Sequence, residues 1–139
     1  MTGTERWLAI TAGAGVLGGV AWTAKVVTLW ATGTEGGLDQ LFFGVGFAAL
    51  LLAATGPGVW LLRGRPVAWR VLGGVLGPPL GVLIFLVGVQ GAVEPVNPAL
   101  PFGLAGEVGI VLAALAGVVL GGGRMVRVVG DRVSAPSAT

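Results

Sequence analysis

Lys25 and Glu107 each interrupt a long apolar run, and they are the two residues on which any chemistry of this chain would turn. A charge at membrane depth is costly, so it signals a partner charge, an ion path or a ligand. Counting 1.5 Å per residue, Lys25 stands roughly 27 Å along its helix from Trp7, and Glu107 roughly 26 Å along its own from Arg124. Both belong near the same edge of the hydrocarbon. Lys25 shares a helical face with Ala14, Gly18, Ala21 and Thr28, small residues that suit a neighbouring helix better than lipid. Glu107 falls in the first turns of its helix, where the macrodipole favours an anion. Three readings follow. The two charges form an ion pair joining the first and last helices, inside a polar layer with Thr23, Thr28 and Gln90. Alternatively Lys25 snorkels to the headgroups and Glu107 is solvated near a helix end. In the third reading Lys25, Glu107, Thr28 and Gln90 hold a solute or an ion.

Little other chemistry is possible. The chain has no Cys, His or Tyr, and its two serines, Ser134 and Ser137, lie in the last six residues. Thiolate and imidazole catalysis are therefore absent, a structural zinc site lacks its usual ligands, and no metal or cofactor is expected. Catalysis would have to rest on carboxylates, Lys25 or Thr, so the chain reads as non-enzymatic; an enzyme of lipid chemistry is the least supported reading.

The elements that carry these residues follow from composition. Of 139 residues 55% are hydrophobic and only 10% charged, and the mean hydropathy is +0.94. These are membrane-protein values. The apolar stretches run without the alternation of a barrel strand, so the fold class is all-α: a polytopic bundle of four transmembrane helices. The spans are predicted at about 7–30, 41–62, 71–93 and 104–123, each close to the ~20 residues that cross a bilayer. Residues 1–123 then form the membrane domain, and 124–139 a basic tail that ends in disorder.

Orientation follows from the arginines. Arg6 precedes the first span, Arg63, Arg65 and Arg70 lie between the second and third, and Arg124, Arg127 and Arg132 follow the fourth. The positive-inside rule makes these places, and both termini, cytoplasmic, in the cell membrane. The connections 31–40 and 94–103 carry no Lys or Arg and face outward, where Glu35, Asp39, Glu94 and Asn97 are expected as loop residues or as the rim of an outer pocket. Trp7, Trp30, Trp60 and Trp69 fall at predicted interfaces, as aromatic anchors do. The net charge of +2 therefore serves topology, and nucleic acid is not an expected partner.

Glycine supplies 27 residues, many at four-residue spacing: Gly15 and Gly19; Gly73, Gly77 and Gly81; then Ala105, Gly109, Ala113, Gly117 and Gly121. Such seams let backbones approach closely in lipid, within one chain or between chains. Pro57, Pro78 and Pro79 predict kinks, with Thr55 placed to satisfy carbonyls freed near Pro57. Gly13, Gly15 and Gly18 match a dinucleotide-binding G-x-G-x-x-G, but no strand precedes them, and helix packing explains them better. The inner half of the spans offers only Thr11 and Thr55, so no hydrophilic path crosses one subunit.

In size and span count the chain resembles small multidrug transporters and fluoride channels. The multidrug family, however, is built on a carboxylate in its first helix, where this chain has Lys25, so no functional residue carries over. The leading functional expectation is a non-enzymatic structural or accessory subunit that packs against a membrane-protein partner or a second copy. The alternative is a small homo-oligomeric transporter or ion-binding protein with an outward-facing polar site around Lys25 and Glu107.

Overall fold

A computed structural model describes residues 2–33, 36–91, 95 and 108–135. Those residues form four helices, each long and apolar enough to cross a membrane and packed together. They are α1 (Gly3–Thr32), α2 (Gly37–Leu61), α3 (Val67–Leu83, continuing as a π-helical segment, Ile84–Gln90) and α4 (Val108–Ser134).

Local chemistry sets most of the helix ends. Thr2 caps α1 by accepting from the Glu5 N–H at 3.2 Å, and the Glu5 carboxylate accepts from the Thr2 N–H at 2.7 Å. This reciprocal pair starts the helix four residues before Trp7, the expected first residue. Gly33, in the left-handed conformation at φ 67°, closes α1 by donating to the Leu29 carbonyl at 2.8 Å. A side chain there would be strained, so glycine sets the stop. Pro66 precedes the first residue of α3, a position where its missing N–H costs nothing. α4 does not end near Gly123 but runs on to Ser134. Arg124, Arg127 and Arg132 therefore stand on a continuous helix, and residues 136–139 of the expected disordered tail lie outside the described residues.

The glycine seams are used inside the chain. A β-carbon at Gly19 would stand 2.5 Å from the Ala114 carbonyl oxygen, and one at Gly121 2.5 Å from that of Ala12; Gly15 and Gly117 oppose each other between them. These contacts join α1 and α4 antiparallel. Gly18 faces Gly46 and Leu50 across the α1–α2 contact, and Gly56 receives Thr11. On the α2–α3 contact Gly58 meets Gly73, and Gly77 lies on the Ala54 carbonyl. Close backbone approach of this kind supplies the dispersion contacts that hold helices together where lipid offers no hydrophobic drive. Ala105 lies outside the described residues.

α1 is the central helix, packed on both α2 and α4, whereas α3 packs mainly on α2. Half of the apolar stretch of α1 is buried, 50%, against 6% for α3. Pro57 lies inside α2 and Pro78 and Pro79 inside α3. The Thr55 hydroxyl donates to the Leu52 carbonyl at 2.7 Å, one residue before the Ala53 carbonyl that Pro57 deprives of its helical donor.

Candidate functional site

The end of the bundle away from the arginines carries the polar layer. Lys25 is buried at 7% exposure, on the same face as the buried Ala14, Gly18 and Ala21. It points inward, as the small-residue stripe requires. Its ammonium lies 5.8 Å from the centroid of the Phe43 ring, within the range of a cation–π contact. Phe43 is itself stacked on Trp22, with centroids 5.7 Å apart and planes 3° from parallel. Trp22 meets Phe85 from the π-helical segment at 5.8 Å and 59°, and its indole N–H donates to the Phe43 carbonyl at 3.1 Å. Gly46 makes this possible, since any side chain there would overlap the indole ring. Trp22, Ile110 and Ala114 form the buried core at this level.

Asp39 departs from expectation. It is not a solvated loop carboxylate but a residue of the first turn of α2, with only 2% exposure. Its carboxylate reaches back one turn and accepts from the Gly36 N–H at 2.5 Å. The side chain thus satisfies a donor that the helix leaves open, and the positive end of the helix offsets the carboxylate charge. Asp39 and Phe43 are four residues apart and share a face of α2.

Register locates the start of α4 relative to these groups. Gly19 faces Ala114; six residues further along α1 is Lys25, and six residues back along the antiparallel α4 is Val108, its first helical residue. Lys25 therefore stands level with the beginning of α4. Glu107 lies outside the described residues, as do Glu35, Glu94 and Asn97. Gln90 ends the π-helical segment, and its side chain is likewise outside the description. Thr28 is half-buried and donates to the Ala24 carbonyl at 2.8 Å; Thr23 does the same to Gly19 at 2.8 Å. These hydroxyls cap their own helix rather than converge on a common point.

Sequence reasoning missed Trp22 and placed Asp39 in a loop or at a pocket rim. Gly46, which leaves room for the indole ring, was the available signal for the first; an acid three residues after Gly36 was the signal for the second. The G-x-G-x-x-G match resolves into helix contacts, with Gly15 against α4 and Gly18 against α2. Among the described residues no group of three or more His, Cys, Asp or Glu is placed to hold a metal ion.

No protein-family model matches the chain, and no curated protein or solved structure matches it either.

Proposed function

We propose that this four-span membrane protein is a non-enzymatic structural or accessory subunit of an assembly in the cell membrane. One observation carries the reading: the polar side chains described within the spans serve the bundle itself. Thr11, Thr23, Thr28 and Thr55 donate to carbonyls of their own helices, Asp39 caps α2, and Lys25 is buried against Phe43. The glycine seams hold the four helices to one another, so association with a partner would use larger side chains. Leu72, Leu76, Leu80 and Leu83 form such a ridge on α3, each 45–55% exposed. Gentle release from the native membrane followed by native mass spectrometry tests the reading. The expected species is this chain bound to a different membrane protein; a homo-oligomer carrying a retained polar solute would overturn it.

Such a homo-oligomer is the form the second reading requires. A buried cation, Lys25, beside Phe43 and a buried carboxylate, Asp39, in the first turn of α2 support a solute or ion site that Lys25, with Glu107, would gate at the outer side. Solute-dependent thermal stabilisation that disappears in Lys25→Ala distinguishes this reading from the first.

The arginine-bearing end is assigned to the cytoplasm on the positive-inside rule. The cysteine-free sequence makes the assignment easy to check. A single Cys at Gly37 is expected to react with a membrane-impermeant thiol reagent on intact cells, and one at Val67 to be protected; the reverse pattern inverts the topology.

A further inference from the structure

At the arginine-bearing end a cavity of about 550 Å³ opens between the first turns of α1, the last turns of α2 and the first three turns of α3. Its volume lies within the range of sites that hold small ligands. Trp7, Val59, Val71 and Pro78 give it a mostly apolar lining, and its polar groups include Thr4, Thr55 and Arg70. One guanidinium nitrogen of Arg70 donates to the Thr4 hydroxyl. Its Nε is buried and has no hydrogen-bond partner among the described residues. A guanidinium has five N–H donors and no acceptor, so the unused donors call for an anionic or strongly accepting group.

The surroundings favour an anion. All seven arginines lie at this end, against two carboxylates, Glu5 and Asp131, and Glu5 is committed to the Thr2 N–H. The apolar wall specifies what the anion is attached to. From Arg70 the lining continues along α3 to Pro78, about 12 Å of helix at 1.5 Å per residue. Val71 and Val75, which line it, are 59% and 64% exposed on the surface of a membrane-spanning helix. The cavity is therefore bordered by exposed apolar side chains of a membrane-spanning helix, close to its arginine-bearing end.

We infer that this cavity binds an anionic phospholipid from the adjoining leaflet, with its phosphate on Arg70 and one acyl chain along Val71, Val75 and Pro78. The occupant is a lipid rather than a soluble anion because a free phosphate would meet the guanidinium but leave the apolar wall uncovered. This site stands apart from the Lys25 layer and does not depend on the accessory-subunit reading.

The test uses the full chain in detergent with added phosphatidylglycerol or phosphatidylcholine, read by thermal unfolding. Phosphatidylglycerol is expected to raise the melting temperature by about 5 °C more than phosphatidylcholine does. Arg70→Gln removes the charge, and Val71→Trp fills the cavity while keeping it; each is expected to erase the difference, whereas Arg127→Gln preserves it. A wild-type chain that does not distinguish the two lipids overturns the inference. So does an undiminished response in Arg70→Gln or Val71→Trp, an equal loss in Arg127→Gln, or the same shift from inorganic phosphate alone. Should Arg70→Gln or Val71→Trp fail to fold, native mass spectrometry of the wild-type chain decides: retained phosphatidylglycerol supports the site, and its absence refutes it.

Discussion

Gly77→Val is expected to cost about 3 kcal/mol or more, the upper part of the range for overpacked interiors. A β-carbon at Gly77 would overlap the Ala54 carbonyl, and a backbone group in a packed helix cannot rotate aside as a side chain can. A graded series checks this. At Gly81 the added carbon would sit 3.2 Å from the Ala54 Cβ, a contact relieved by a small shift, and at Gly44 nothing lies within 4 Å. Thermal unfolding in detergent should therefore rank Gly77→Val far below Gly81→Ala, with Gly44→Ala equal to or slightly above the wild type, since alanine is the better helix former. A flat series would mean that α2 and α3 do not approach as described.

The second large effect is expected at Lys25. The other seven cations all lie toward the opposite end of the helices, so this lysine is the sole positive side chain at the end of the bundle where α2 buries Asp39. Removing one charge from a buried pair typically costs about 3–5 kcal/mol, because the remaining charge is stranded. Lys25→Met should destabilise on this scale even though methionine fits the space. The double variants identify the stranded acid. Recovery in Lys25→Met with Asp39→Asn assigns the counter-charge to the buried carboxylate of α2; recovery with Glu107→Gln assigns it to the residue just before α4. A Lys25→Met protein that melts with the wild type contradicts any pairing.

Much of this architecture is legible in the sequence because lipid leaves few options. Uninterrupted apolar runs must be helices, and the arginines mark one end of each. The inward direction of Lys25 could be read from Ala14, Gly18 and Ala21 because helical periodicity is local. What could not be read depends on contacts between segments. Asp39 looks like a loop acid until α2 is seen to start at Gly37 and bury it. The α4 extension to Ser134 runs through residues of falling hydropathy, where span length is no guide to helix length. The cavity at Arg70 exists only because Thr4, 66 positions away, is brought beside it. Four-residue glycine spacing likewise announces a seam without naming the partner; the partner of Gly19 is Ala114 and that of Gly77 is Ala54.

These seams close within one chain and so build its bundle. Engineered disulfide formation tests it most directly, since the protein has no native cysteine to interfere. The pair Ala54→Cys and Gly81→Cys places two β-carbons about 3.2 Å apart, close to the separation a disulfide needs. Mild oxidation in the membrane is predicted to give an intramolecular bond, seen as a monomer that no longer reacts with thiol reagent. A covalent dimer with free intramolecular partners would show that the seam joins two copies, and would contradict the account.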